Sequence, residues 1–132
     1  MTIADTDVLI DFMAGHEPAA MRVALELERG SLRTTVVTRF ELLCGARNAR
    51  QEADIRQLLA AVPAFSLDPK ASDQAARVRR SLERAGETVG MADSLIAGIV
   101  LSQDATLLTR NRRHFERVSG LRLALLKISE LH

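Results

Sequence analysis

The chain has no tryptophan or tyrosine and four phenylalanines in 132 residues. Its core must therefore be aliphatic, and it has too few aromatics for a base-stacking platform of the usual kind. A lone cysteine, Cys44, excludes an internal disulfide and fits a reducing compartment. Cys44 itself reads as a small buried apolar residue. No apolar run reaches the length of about 18 residues that a membrane span needs. The opening MTIADTD has no basic segment followed by a hydrophobic one, so no secretory leader is expected and a cytoplasmic setting is. Lysine is nearly missing too. Of 18 basic residues, only Lys70 and Lys127 are lysines, so the positive charge is almost all guanidinium, the better fork for phosphate oxygens. A GC-rich genome gives the same bias, and a net charge of +1 points to no partner class by itself.

The hydrophobic fraction of 47% and the charged fraction of 27% are those of an ordinary globular protein. No linker, repeat or low-complexity tract interrupts the chain, so one domain over 1–132 is expected. Ile3 and Ala4 form a short strand ending at Asp5. DVLIDFMAG reads as a helix with Val8, Leu9, Phe12 and Met13 on one face, broken by Gly15 and His16. EPAAMRVALELERG gives a second helix between Pro18 and Gly30. β-Branched LRTTVV is expected as a strand, and Thr38 or a neighbour caps a helix through RFELLCGARN. A helix over Gln51–Ala61 is stopped by Pro63, AFSL is a strand, and Pro69 opens a long helix to Ala85. After a loop between Gly86 and Gly90, MADSLIAGIVLSQ reads as a buried helix. ATLLT is a strand, RNRRHFERV a polar loop or helical turn, and LRLALL a final strand. Strands alternating with helices imply an α/β fold, a central parallel sheet flanked by helices on both faces.

Ligands of such sheets bind beyond the carboxyl ends of the strands. Asp5 falls at that rim, as do Thr109 and Asn111. Glu41 lies one turn into a helix that follows a strand. Asp93 lies in a helix's first turn, where backbone amides favour an anion. Each acid sits among apolar or small residues, where a charge needs a partner. Carboxylates with an amide or hydroxyl, without a Cys or His cluster, suit Mg²⁺ or Mn²⁺. Cys44 is alone, and His16, His114 and His132 are scattered, so no zinc spacing is present. Without metal, clustered carboxylates repel and one pKa rises. With one or two ions they orient a water and stabilise the oxyanions of a phosphodiester displacement. Asp5, Glu41 and Asp93 are thus candidate metal ligands, and Thr109 a candidate hydrogen-bond donor to a ligand carboxylate.

Plainer readings stand beside these. Asp93 also suits helix stability, Glu41 a solvated pair with Arg39, and Thr109 a strand end satisfying local backbone. Asp7 and Asp11 read as exposed-face residues, and His114 as a partly packed surface residue. Arg110, Arg112 and Arg113 flank Asn111 and suit an RNA backbone, with Arg39, Arg47 and Arg50 on the same surface; otherwise such a run is a solvated face.

The segments IADTDVLIDF, TRFELLCGAR, GMADSLIAGI and ATLLTRNRRHFERVSGLRL, in this order, resemble the four motifs of PIN-domain ribonucleases of the VapC toxin type. The resemblance covers essentially the whole chain. It implies a single PIN-like domain acting as a Mg²⁺- or Mn²⁺-dependent endoribonuclease that hydrolyses RNA phosphodiesters. Asp5, Glu41, Asp93 and Asn111 would be its catalytic set, the three acids its metal ligands. Many relatives carry an Asp in the fourth segment, where this chain has Asn111, His114 and Glu116; which of these completes the site, and whether one ion binds or two, stays open. The resemblance further implies a toxin of a type II toxin–antitoxin pair, a VapB-type antitoxin and a homodimer. Leu9, Phe12, Met13 and Leu25 are candidates for an antitoxin groove, though they would equally make core. Transfer RNA and ribosomal RNA are both open as substrate, single strands or loops being favoured because duplex RNA hides its bases.

Other assignments fit less of the chain. A phosphorylation receiver would use Asp5 and Asp7 as acidic pair, Asp68 as phosphoacceptor, and Thr109 and Lys127 as switch residues. Two helices then stand between its first two strands, and Glu41 and Asp93 go unused. A haloacid-dehalogenase-like phosphatase expects a Gly-Thr pair where Val8 stands. A catalytically silent PIN-like binding module would not need the intact trio of acids.

Overall fold

Asp5, the first charge after an apolar strand, terminates β1 (Thr2–Ala4) and caps α1 (Thr6–Met13) by accepting the Val8 N–H at 3.2 Å. The computed structural model describes residues 1–127. After α2 (Ala19–Glu28) come β2 (Leu32–Thr35), α3 (Val36–Cys44), α4 (Ala49–Ala61) and β3 (Ala64–Phe65). They are followed by α5 (Pro69–Arg84), α6 (Met91–Ser102), β4 (Thr106–Leu108), the single-turn α7 (Arg112–Phe115) and β5 (Arg122–Ala124). The strands form a five-stranded sheet in the order β3-β2-β1-β4-β5, every pair parallel. Receivers place their third strand beside the first, whereas β3 here lies at the edge next to β2.

Side chains alternate across a strand, and the two central strands show it. Ala4 and Leu108 join Val8, Leu9, Val23, Leu42 and Leu59 in one buried cluster. Ile3 and Leu107 join Val78, Ile96, Val100 and Phe115 in the other. Helices α1 to α4 thus supply one face of the sheet, and α5 to α7 the other. Ala4 pairs with Leu108, which brings the next residues, Asp5 and Thr109, side by side at the carboxyl rim.

The structure corrects several expected boundaries. LRTTVV is a strand only to Thr35, whose hydroxyl caps α3 by accepting the Thr38 N–H at 3.1 Å. Val36 and Val37 are thereby helical in spite of their β-branching, and Val37 packs on the second core. The next helix ends at Cys44, because Asn48 caps a new one by accepting the Gln51 N–H. Asp68 caps α5 through the Ala71 N–H. Of the groove candidates on α1, Leu9 is fully buried core, the alternative the sequence left open, and Met13 is exposed, as is Ile10. Cys44 is exposed, on the outer side of the last turn of α3.

Helices α5 and α6 touch through small residues. A Cβ on Gly98 would stand 2.5 Å from the Ala71 carbonyl oxygen and 2.6 Å from the Ala75 Cβ. Backbone cannot yield to that approach without moving a helix, and α6 carries Asp93. Gly98→Ala is therefore expected to cost about 1–3 kcal/mol, the usual range for overpacking, measured by urea unfolding. An unchanged midpoint would show that the two helices separate freely.

Candidate active site

Thr109 Oγ1 donates to Asp5 Oδ2 at 2.5 Å and accepts the Asn111 N–H at 2.9 Å. The backbone amide occupies a lone pair of the hydroxyl, which directs its proton at Asp5. Asp5 is 4% exposed. Burial is the main cause that pushes its pKa from 3.8 up to about 6, and the charges of Asp7 and Asp93 push it the same way. The bonds from Thr109 and Val8 oppose that rise and do not cancel it. This carboxylate lacks positive charge.

The other sequence candidates surround it. Glu41, half-buried on α3, accepts from Thr6 Oγ1 at 2.6 Å. Asp93 sits in the first turn of α6, whose Gly90 cap supplies no side-chain bond to the amides. Its Oδ2 lies 3.3 Å from Nδ1 of His114, which ties that histidine to a candidate ligand. Asn111 donates through Nδ2 to Asp7 Oδ2 at 2.8 Å. Arg110 is engaged by Asp11, Nε to Oδ2 at 2.9 Å, while Arg112 and Arg113 are exposed on α7. Sequence reasoning missed the Thr6–Glu41, Asn111–Asp7 and His114–Asp93 contacts. Each joins distant segments, and a single sequence carries no signal for that.

Helix α3, which carries Glu41, packs against both α1 and α6, the helix that carries Asp93. Yet among the described residues no three Asp, Glu, His or Cys side chains come close enough to hold a metal ion together. Each acid has a neighbour of its own: Asp5 accepts from Thr109, Glu41 accepts from Thr6, and Asp93 lies within ion-pair distance of His114. The donor set still suits a hard cation. It is all oxygen, and its buried member is held in a field of like charge, which a divalent ion would neutralise. Asp5, Glu41 and Asp93 remain the candidate side chains for such an ion, each offering carboxylate oxygen.

Residues 2–121 match the PIN domain family. A tRNA(fMet)-specific endonuclease VapC of Shigella flexneri is 34% identical over 122 residues, covering 89% of this chain and 92% of that protein. Ribonuclease VapC10 of Mycobacterium tuberculosis is 33% identical over 129 residues, covering 92% and 91%. Among solved structures, DNA-bound VapBC from Salmonella typhimurium superposes with a TM-score of 0.82 at 26% identity, covering 93% of this chain and 96% of that one.

The raised pKa of Asp5 has a consequence for stability. Its folded value lies above its unfolded one, so the neutral acid's contribution is intact below about pH 4 and is lost as pH climbs through 6. The difference is worth roughly 3 kcal/mol at neutral pH. In EDTA, Asp5→Asn is therefore expected to stabilise the protein at neutral pH, with a gain that fades toward about pH 4, followed by urea denaturation across pH. A gain independent of pH, or a loss at neutrality, would contradict this.

Proposed function

The chain belongs to the PIN-domain family, and on that premise we propose that it is a Mg²⁺- or Mn²⁺-dependent endoribonuclease of the VapC toxin type. One nuclease domain over residues 1–132 would carry the activity. The observation that carries this reading is the buried, charge-crowded Asp5 carboxylate at the rim of β1 and β4, with Glu41 and Asp93 brought up on adjoining helices. The relatives named as endonuclease and ribonuclease VapC support RNA as substrate, and transfer RNA ahead of ribosomal RNA.

In this mechanism Asp5, Glu41 and Asp93 hold the ion, and Thr109 fixes the Asp5 carboxylate through a hydroxyl pinned by the Asn111 N–H. Bound there, Mg²⁺ or Mn²⁺ would supply positive charge to the phosphate oxygens and lower the pKa of the attacking water. Asn111, its amide nitrogen held by Asp7, presents its carbonyl oxygen to order that water. The proton given up by that water would pass to one of the carboxylates as the P–O bond breaks, and a proton would be returned to the leaving ribose oxygen. His114, within ion-pair distance of Asp93, stands where it can contact the substrate beside that acid. Arg112 and Arg113, exposed beside it, bind flanking phosphates, whereas Arg110 is committed to Asp11.

The partners follow from the same reading. An open groove of about 480 Å³ runs between α1, α3 and α4, lined by Ile10, Met13, Leu42 and Ile55 with Arg47 and Asp54 at its polar margin. It suits an amphipathic segment of a VapB-type antitoxin, and the VapBC complex among the similar structures supports that partner. Phe40 and Met91, both 66% exposed, form an apolar shelf that suits the contact of a homodimer. No helix among the described residues is long and apolar enough to cross a membrane.

Cleavage of transfer RNA by antitoxin-free protein is the test. With Mg²⁺ or Mn²⁺ the protein should cut, and Asp5→Ala and Asp93→Ala should fall to the background seen in EDTA while remaining folded by circular dichroism. Cutting that persists in EDTA, or in both variants, would refute the metal-dependent reading.

A further inference from the structure

Thr6, the first residue of α1, faces two partners across the site. Its Oγ1 lies 2.6 Å from Glu41 Oε1 and 3.1 Å from Thr38 Oγ1. A hydroxyl has one proton, so only one of these contacts can be a donation by Thr6. The carboxylate is the shorter contact and the stronger acceptor, so Thr6 donates to Glu41 and accepts from Thr38. Thr38 is fully buried and has Thr35 Oγ1 at 3.4 Å, the weakest link of the row. Thr35, also fully buried, already accepts the Thr38 N–H, which leaves its own proton to point toward the Thr38 oxygen.

The hydroxyls therefore line up in one direction, Thr35 to Thr38 to Thr6 to Glu41. Among the described residues no buried side-chain oxygen or nitrogen is left without a partner, in keeping with this assignment. Donors arranged in series polarise one another toward the acceptor at the end. Glu41 has several rotatable bonds and a half-exposed position, so without this anchor its carboxylate would sample many orientations. Thr6 adjoins Asp5 in the chain, so the anchor also fixes Glu41 relative to the other acid.

The geometry points to Thr6 as the positioning residue for Glu41, holding its Oε1 so that the carboxylate is preset for the divalent ion. This rests on the metal-dependent reading above and assigns a role that the acids do not have: Thr6 binds no metal and touches no substrate. Groups that orient a ligand typically govern metal affinity by about 10–100-fold. The hydroxyl, not the methyl, is what the geometry requires.

Mn²⁺ binding to purified protein, followed by the loss of free-ion signal in electron paramagnetic resonance, tests this without any turnover. Thr6→Val, which keeps the shape and removes the donor, should weaken Mn²⁺ binding at least about tenfold in protein that is still folded by circular dichroism. Thr6→Ser should bind within about threefold of the original protein, far inside the loss expected for Val. If Thr6→Val does not fold, Thr6→Ala takes its place with the same expectation. Val or Ala variants that bind Mn²⁺ as the original protein does would overturn the positioning role and leave the metal site standing. A Ser variant as weak as Val would overturn it as well, by tracing the effect to packing. If the original protein takes up no Mn²⁺, the metal reading itself fails, and the role of Thr6 with it.

Discussion

One buried carboxylate organises this molecule. Asp5 ends the central strand, caps the first helix and lies against Thr109 just past the neighbouring strand, and all three roles come from one side chain. Removing such a charge from water is costly, and the protein offsets the cost only in part with two hydrogen bonds. Two further carboxylates, on Asp7 and Asp93, act to raise the proton affinity of Asp5 instead of relieving it. A fold shaped for stability alone gains nothing from setting the charges of Asp7 and Asp93 near a buried acid at a sheet rim. A cation would relieve that repulsion, which is the basis of the metal dependence proposed above.

The rest of the fold serves that point. Parallel pairing of β1 with β4 sets Asp5 beside Thr109, and the short loop beyond β4 brings Asn111 to Asp7 and Arg110 to Asp11. The two apolar clusters on opposite faces of the sheet fix α1 and α3 from one side and α6 from the other. Close contact at Gly98 sets the position of α6, and so the height at which Asp93 meets the rim. Stability and site geometry are thereby coupled, since core packing determines the spacing of the acids.

Much of this was legible in the sequence, for definite reasons. Asp5 stood out because a charge at the end of an apolar run has few structural uses. The run from Met91 to Ser102 could only be a buried helix, and the alternation of strand and helix fixed a parallel sheet. Val36 and Val37 were misassigned to a strand because β-branching is a weak preference, outweighed here by the Thr35 cap and by the packing of Val37. Cys44 departs from the buried position expected of it because the side of α3 that bears it faces outward. Contacts such as Thr6 with Glu41, 35 residues apart, belong to the tertiary fold, and no pattern along the chain encodes them.

The most direct test of the account is the ionisation of Asp5 itself, followed by carbonyl ¹³C NMR of labelled protein across pH, first in EDTA and then with Mg²⁺. The account predicts a pKa of about 6 without the ion and a value below the ordinary 3.8 with it. An Asp5 that titrates at its ordinary value in EDTA, or that Mg²⁺ leaves unmoved, would show that this carboxylate was never waiting for a cation.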